Sequence, residues 1–188
     1  MRIIGGNFKG KKIAFVKSKS TRPLRDVVKE NIFNILNHSN IIDFGINSAR
    51  VLDLYSGVGS FGIECISRDA DYTVFVEKNK ETSSVLEKNL RDLKIDNDKF
   101  YITNDEVNLY IQNNKAKKFN IFFLDPPYSD QLYPNILKVI KENNMFLKKN
   151  LVIIHRESGS RDDLGRIIDT LKVKNYGRSR IIFGTFSN

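Results

Sequence analysis

From residue 50 onward, short apolar segments alternate with longer amphipathic ones. The apolar segments predict β-strands at Val51–Tyr55, Thr73–Glu77, Phe100–Thr103, Asn120–Asp125 and Leu151–His155. The amphipathic segments predict helices at about 60–69, 79–94, 105–114 and 131–143. Alternating units of this length build a parallel sheet with helices on both faces.

The two ends of the chain break this alternation. Near the N-terminus, short strands around Arg2–Ile4 and Lys11–Val16 predict a β-hairpin, and an apolar stripe predicts a helix from Asp26 to Asn37. At the other end, Leu171–Tyr176 and Ser179–Phe186 flank a Tyr-Gly turn, which is typical of an antiparallel hairpin.

The predicted fold class is therefore α/β. We expect a Rossmann-like sheet, mostly parallel, with a C-terminal antiparallel hairpin and a small N-terminal β-hairpin and helix. The basic N-terminal extension would occupy residues 1–40 and the main domain residues 41–188. In open sheets of this kind, ligands bind beyond the carboxyl ends of the strands, so functional residues are expected there.

Composition excludes several classes of protein. The single cysteine, Cys65, cannot form an internal disulfide, and with only two histidines no metal site is expected. No apolar run approaches the roughly 20 residues that span a bilayer. The N-terminus also lacks the apolar segment of a secretory signal. We therefore expect a metal-free cytoplasmic protein.

The net charge of +9 is concentrated near the N-terminus. The first 25 residues carry eight Lys or Arg and no acidic residue, whereas the rest of the chain has 23 basic against 22 acidic residues. Such a cluster is typical of phosphate contact and favours nucleic acid as the partner, with a solubilising tail as the alternative. The candidate contacts are Lys9, Lys11, Lys12, Arg22 and Arg25.

The first strand leads into a glycine-rich loop, where Gly57, Gly59 and Gly62 match the dinucleotide pattern G-x-G-x-x-G. Asp53 argues against a dinucleotide, because a carboxylate just before the loop repels an anionic pyrophosphate. The same carboxylate favours S-adenosylmethionine, which carries a sulfonium and an α-ammonium but no phosphate. The glycines then allow close backbone approach to the methionine and ribose portions. The alternative is that these residues only form the turn.

The next two strands also lead to acidic residues. Glu77 ends the second strand, where its two carboxylate oxygens can accept both ribose hydroxyls. Asp105 follows the third strand and is a candidate acceptor for the adenine amine. An N-cap role at the start of the following helix is the structural alternative for Asp105, and both roles are compatible.

The fourth strand ends in Asp125, Pro126, Pro127 and Tyr128. The prolines fix the backbone, so the Asp125 carboxylate and the Pro126 carbonyl become two acceptors held close together beside an aromatic ring. This set suits an exocyclic amine of a nucleobase, whose lone pair the acceptors aim at a methyl group while Tyr128 stacks on the base. A Pro-Pro turn explains the prolines alone. Such catalysis depends on positioning, so His155 at the end of the fifth strand is not expected to be catalytic.

Nearly the whole chain resembles the bacterial 16S ribosomal RNA guanine-N2 methyltransferase family (RsmD type), within the class I S-adenosylmethionine-dependent methyltransferases. The resemblance rests on the segments RIIGG, RPLRDVVKENIFNIL, VLDLYSGVGSFGIECISRDA, FVEKN, FFLDPPY and YGRSRIIF. It implies an enzyme that methylates a guanine N2 of small-subunit rRNA, in the subunit or its assembly intermediate, and releases S-adenosylhomocysteine.

The resemblance also implies roles for individual residues. Asp125, Pro126 and Tyr128 would orient the target base, and the basic hairpin would hold rRNA. The stretch from Arg22 to Phe33 would line the cofactor entrance. The cofactor would be surrounded by Asp53, Tyr55, Gly57 and Gly59 at the methionine portion, Glu77 at the ribose and Asp105 at the adenine.

Three alternatives stay open at this point. An Asp-Pro-Pro-Tyr loop also serves adenine N6 or cytosine N4 of DNA or another RNA. A nicotinamide-dependent oxidoreductase would also use the glycine pattern, but Asp53 argues against this class of enzyme. A non-catalytic RNA-binding assembly factor would keep the fold without turnover. We expect a monomer.

Overall fold

The computed structural model describes residues 1–16, 24–38, 41–127, 129–160 and 164–187. Within these residues the chain forms one seven-stranded sheet and five α-helices, none of them long and apolar enough to cross a membrane. The helices are α1 (Asp26–His38), α2 (Ser60–Ser67), α3 (Lys80–Asp92), α4 (Val107–Asn113) and α5 (Tyr133–Glu142). The strands are β1 (Arg50–Leu54), β2 (Tyr72–Val76), β3 (Phe100–Thr103), β4 (Phe119–Leu124), β5 (Phe146–Glu157), β6 (Asp169–Tyr176) and β7 (Ser179–Thr185).

The strand order across the sheet is β3-β2-β1-β4-β5-β7-β6. Strands β1 to β5 are parallel, whereas β7 is antiparallel to β5, and β6 is antiparallel to β7. The predicted Rossmann-like class, mostly parallel with an antiparallel C-terminal hairpin, is confirmed. Between β1 and β4 the chain order reverses, and such a switch point opens a crevice at the carboxyl ends of the two strands.

Helix α1 shares the hydrophobic core of the sheet. Of its predicted apolar stripe, Val28, Ile32 and Leu36 are buried, and Phe33 beside them stacks on Phe61 of α2 at 5.3 Å between ring centroids. Phe61 in turn stacks on Phe123 of β4 at 4.0 Å. This continuous aromatic stack fixes α1 against the sheet. The division of the chain at residue 40 stays a prediction.

The two predicted N-terminal strands are reduced to a single bridge between Arg2 and Lys12. Backbone bonds still run from Ile3 to Lys11 and from Ile13 to Met1, but several other N–H groups of this segment are donated to side chains of α2 and α3. These bonds run from Ile4 and Gly5 to Glu64, from Phe8 to Ser67 and from Ala14 to Asn89. The N-terminal segment is therefore bound along the helices.

The glycine pair of the RIIGG segment has a steric explanation. Gly6 has a φ of +72°, and a Cβ there would lie 1.7 Å from the carbonyl oxygen of Ser67. A Cβ at Gly5 would lie 2.3 Å from the guanidinium of Arg68. Gly6 does not accept a side chain while this segment lies against the end of α2, whereas a side chain at Gly5 would require the Arg68 guanidinium to move.

A buried ionic cluster also fixes the N-terminal segment to the sheet domain. Glu64 of α2 is fully buried and accepts backbone N–H groups from Ile4 and Gly5, each at 2.8 Å. Its carboxylate also pairs with Arg68 at 2.9 Å and with Lys29 of α1 at 3.5 Å. Burial lowers the pKa of Lys29, and the charge of Glu64 opposes that shift.

Several element boundaries differ from the sequence predictions, and the largest difference is at β5. Strand β5 begins at Phe146, earlier than the predicted Leu151, because Phe146 pairs with Phe119 across an irregularity in the β4 register. The intervening Lys148 and Lys149 interrupt the apolar pattern and conceal this part of the strand. Helix α4 begins at Val107, two residues later than predicted.

Candidate active site

The carboxyl ends of β1, β2, β3 and β4 bring four predicted acids to one edge of the sheet. Asp53, near the end of β1, is 1% exposed, and its Oδ2 accepts the backbone N–H of Gly62 at 2.9 Å. Its other oxygen, Oδ1, is buried with no hydrogen-bond partner among the described residues. A buried carboxylate oxygen without a donor is costly, so this atom points to a ligand that carries donors or positive charge.

The environment of Asp53 raises its pKa well above the usual 3.8. Burial is the largest cause, and the bond from Gly62 opposes it. The nearby carboxylates of Asp125 and Glu77 raise the pKa further. A cation beside Asp53 would oppose the effects of burial and of the neighbouring carboxylates on this pKa, because it favours the ionised carboxylate.

The two glycines of the loop, Gly57 and Gly59, have different surroundings. Gly57 has a φ of +57°, and a Cβ there would meet no atom within 4 Å, so the backbone faces open space. Gly59 has a φ of +84°, and a Cβ there would lie 2.4 Å from Leu86, so this glycine allows α2 and α3 to pack. The hydroxyl oxygen of Ser56, directly before Gly57, is also buried without a partner among the described residues. Of the two predicted glycines, Gly57 is the one with space for a ligand.

Glu77 holds the glycine loop in place. Its two carboxylate oxygens accept the backbone N–H groups of Gly57 and Asn79, each at 2.8 Å. Each oxygen keeps a second lone pair, so the predicted acceptance of ribose hydroxyls is compatible with these bonds.

Asp105 lies just after β3 and accepts a hydrogen bond from the Thr103 hydroxyl. The N-cap interpretation of Asp105 is wrong, because α4 begins at Val107 and its N-cap residue is Glu106. The carboxylate is instead held beside the strand end, where the predicted contact with an adenine amine stays a prediction.

The acceptor loop after β4 is anchored by side chains of β5. Asp125 Oδ1 lies 2.9 Å from Nδ1 of His155, whose Nε2 lies 3.0 Å from the hydroxyl of Ser179. An ionised Asp125 only accepts, so Nδ1 donates to it and Nε2 accepts from Ser179. The Pro127 carbonyl accepts from Arg156 at 3.2 Å. Pro126 is buried, and the predicted base-stacking Tyr128 lies outside the described residues.

His155 is the site residue that the sequence reasoning set aside. Leu124 is level with Ile154 in the parallel β4–β5 pair, so the next residues, Asp125 and His155, become neighbours. The signal for this contact was present in the sequence, since both residues were predicted to end adjacent units of the same sheet.

Tyr55 links the two loops that border the crevice. Its backbone has a φ of +60°, and its hydroxyl donates to Asp130 Oδ2 at 2.8 Å. Burial, followed by this bond to Asp130, raises the pKa of Tyr55 above its ordinary value. The predicted role of Tyr55 near the methionine portion therefore comes with a structural one, which is to hold the acceptor loop against the glycine loop.

The predicted RNA contacts are not all at this edge. Lys9, Lys11, Lys12 and Arg25 are exposed, and Arg22 lies outside the described residues. Lys9 belongs to a turn that is fixed to the far end of α2. In this turn, Asn7 bonds to the Ser67 carbonyl at 2.7 Å and to Asp69 at 2.8 Å, near the amino ends of β1 and β2. The turn therefore lies at the edge of the sheet opposite the acids.

Among the described residues, no group of three or more His, Cys, Asp or Glu is arranged to hold a metal ion. Cys65 is buried in α2, as an inert apolar residue would be, and burial raises its thiol pKa well above the usual value.

The strand order, the switch-point crevice and the acids at the strand ends define a class I methyltransferase. The chain belongs to the family described as conserved hypothetical protein 95, whose model matches residues 1–185. It is 34% identical over 151 residues to "Ribosomal RNA small subunit methyltransferase D" of Buchnera aphidicola, covering 80% of this chain and 74% of that protein. It is 31% identical over 157 residues to the protein of the same name from Escherichia coli, covering 84% and 75%.

Solved structures share the fold. The chain matches the Escherichia coli "Putative methyltransferase yhhF" with a TM-score of 0.82 and 25% identity, covering 100% of this chain and 99% of that one. A second structure, "SMU.776, a putative methyltransferase complexed with SAH", matches with a TM-score of 0.67 and 12% identity, covering 84% of this chain and 49% of that one. Both have the Rossmann-like methyltransferase fold.

Proposed function

We propose that this protein transfers a methyl group from S-adenosylmethionine to the exocyclic N2 amine of a guanine in 16S rRNA. The observation that carries the proposal is the pair of acids at the switch point. Asp53 has one buried oxygen without a donor among the described residues, and Asp125, on the neighbouring strand, has one oxygen held by His155. Relatives named for small-subunit rRNA methylation support rRNA as the substrate class.

The cofactor half of the site is built on β1 and β2. Asp53 accepts from the α-ammonium of the methionine portion with its unpartnered Oδ1. Gly57, and with it the loop through Gly59, lets the backbone approach the ligand. Glu77 accepts the ribose hydroxyls with its remaining lone pairs, and Asp105 accepts the adenine amine. The bound cofactor supplies an electrophilic methyl group on a positively charged sulfur.

The acceptor half is built on β4 and β5. His155 holds one oxygen of Asp125, so the other oxygen and the Pro126 carbonyl accept the two amine hydrogens. This geometry directs the nitrogen lone pair towards the methyl carbon, and Tyr128 stacks on the extruded base. Asp125 then takes the proton that the methylated nitrogen loses, or passes it to water. The rate enhancement comes from positioning and electrostatics.

The basic N-terminal residues contact rRNA outside the target nucleotide in this proposal. Lys9 and Lys11 lie on the turn at the opposite edge, so they would hold a large substrate at a second place. Substrates of this kind are found in the bacterial cytoplasm, where the protein would act as a monomer without a metal ion.

The direct test is transfer of labelled methyl from S-adenosylmethionine to small ribosomal subunits that lack the modification, followed by nucleoside digestion. We expect N2-methylguanosine in the digest, and none with Asp125→Ala. Label in N6-methyladenosine or N4-methylcytosine would keep the amine mechanism and reject the guanine assignment. Absence of label, with S-adenosylmethionine still bound, would favour an assembly factor without turnover.

A further inference from the structure

The turn between β6 and β7 lies at the same edge of the sheet as Asp125. Glu157, at the carboxyl end of β5, pairs with Ser179 at the start of β7, so the turn at 177–178 extends beyond this end. One row of the sheet runs from Asp125 through His155 and Ile181 to Lys174 of β6. With strands about 4.8 Å apart, three steps separate the backbones of Asp125 and Lys174 by about 14 Å.

This hairpin is exposed and positively charged. Strand β6 is the edge strand of the sheet, and all its residues except Lys172 and Tyr176 are exposed. Lys174 and Arg178 are exposed on the strand and on the turn. Among the described residues, the acids on the hairpin and on the strand end beside it are Asp169 at the far end of β6 and Glu157 beside Ser179. The half of the hairpin nearest the site is therefore predominantly cationic.

The hairpin and the N-terminal turn differ in their access to the site. Lys9 is fixed near Ser67 and Asp69 at the amino ends of the strands, whereas Lys174 is level with Asp125. A strand of RNA whose base enters the crevice must leave over the carboxyl edge of the sheet. It reaches Lys174 and Arg178 within a few nucleotides, long before it could reach Lys9.

We propose that Lys174 and Arg178 form a phosphate-contact surface for the RNA strand that flanks the target nucleotide. The inference rests on the proposed function and adds to it where the substrate backbone lies. The contacts are electrostatic and independent of sequence, because the two exposed cations interact with phosphate charges and make no contact with base edges. The neighbouring Arg180 is already engaged within the fold, since its guanidinium donates to the Ser160 carbonyl.

The test compares Lys174→Glu/Arg178→Glu with the control Lys148→Glu/Lys149→Glu, whose charges lie at the opposite end of β5. The substrate is small ribosomal subunits lacking the modification, and KM for subunits is measured between about 50 and 200 mM salt. We expect the hairpin variant to raise this KM by about tenfold at the lower salt, where the lost contacts are least screened. Its salt slope should fall by about 1.4, since each phosphate contact on single-stranded nucleic acid contributes about 0.7. The affinity for S-adenosylmethionine should stay within a few-fold.

A milder variant, Lys174→Gln/Arg178→Gln, guards against misfolding of the reversed-charge protein and should show the same slope change. A hairpin variant whose KM and salt slope match those of the control would overturn the inference while leaving the proposed function intact. A raised KM with an unchanged salt slope would also overturn it, because that pattern indicates contact with a protein of the particle. If the wild-type protein methylates no RNA at all, the proposed function fails, and this inference fails with it.

Discussion

Two buried carboxylates, Glu64 on helix α2 and Asp53 on strand β1, differ in how their oxygens are hydrogen-bonded. Glu64 accepts two backbone N–H groups and pairs with Lys29 and Arg68, so both of its oxygens are satisfied. Asp53 receives one backbone N–H on one oxygen, and its other oxygen has no donor among the described residues.

This difference indicates that Glu64 stabilises the fold and that Asp53 is available to bind a ligand. Removing one member of a paired buried cluster is costly, because its partners stay buried with uncompensated charge. A half-paired carboxylate destabilises the free protein, and a cationic ligand can recover that cost on binding. Asp125 belongs to the second kind, since one of its oxygens is anchored by His155 and its side chain is partly exposed.

The largest effect should come from breaking the structural cluster. Glu64→Ala leaves Lys29 and Arg68 without their shared partner and frees the N–H groups of Ile4 and Gly5. We expect the free energy of unfolding to fall by about 3–5 kcal/mol. Urea denaturation measures this, with the exposed Glu87→Ala on α3 as a control that should change it by less than about 0.5 kcal/mol. Equal stability of the two variants would mean that the cluster does not support the fold.

At Asp53 we expect a smaller effect, which falls on cofactor affinity and does not lower the stability of the cofactor-free protein. Asp53→Asn keeps the shape and the bond from Gly62 but removes the charge, so S-adenosylmethionine should bind about 10- to 100-fold more weakly, from about 1.5–3 kcal/mol for a charged hydrogen bond. Calorimetric titration measures the affinity. The melting temperature of the cofactor-free variant should equal or exceed that of the wild type. A variant with normal affinity would assign Asp53 to the turn alone.

The raised pKa of Asp53 predicts how this stability difference depends on pH. The folded protein holds the Asp53 proton to a higher pH than the unfolded chain, whose group titrates near the usual 3.8. Its contribution to stability is fully present below that value and is lost as the pH rises through the folded pKa. The cofactor-free wild type should therefore lose stability relative to Asp53→Asn as pH rises from about 4. A constant difference between the two unfolding curves would contradict the raised pKa.

The smallest effect is expected at His155, which acts through Asp125. His155→Leu removes the donor at 2.9 Å and should lower kcat about tenfold, from about 1.5 kcal/mol, with little change in cofactor affinity. His155→Asn places an amide N–H near the same position and should recover most of the loss. If both variants lose activity equally, the imidazole has a role other than holding Asp125.

The strand ends could be predicted from the sequence because periodicity and strand order follow local rules. Asp53, Glu77 and Asp125 lie at or just after the ends of mainly apolar strands, and parallel strands bring their carboxyl ends to one edge. The partners of these acids could not be predicted so directly. His155 meets Asp125 through the β4–β5 register, which only the folded sheet sets.

The N-terminal segment shows the limit of local patterns most clearly. Its pattern predicted two strands, but Glu64 and Asn89 accept the N–H groups of Ile4 and Ala14, which lie within those predicted strands. Glu64 itself sits in an apolar helix, and nothing near it in the sequence reveals that Lys29 will be buried beside it. The clustered positive charge likewise predicted a nucleic-acid contact without indicating that Lys9 lies at the edge opposite the acids.

The most direct test of the central claim measures cofactor affinity and single-turnover methyl transfer for Asp53→Asn and Asp125→Asn side by side, with small ribosomal subunits as substrate. If Asp53 holds the cofactor and Asp125 orients the amine, Asp53→Asn loses affinity for S-adenosylmethionine. Asp125→Asn then keeps that affinity within a few-fold and loses transfer by about 100- to 1,000-fold. Near-normal transfer by Asp125→Asn, or an equal loss of cofactor affinity in both variants, would contradict this division of roles.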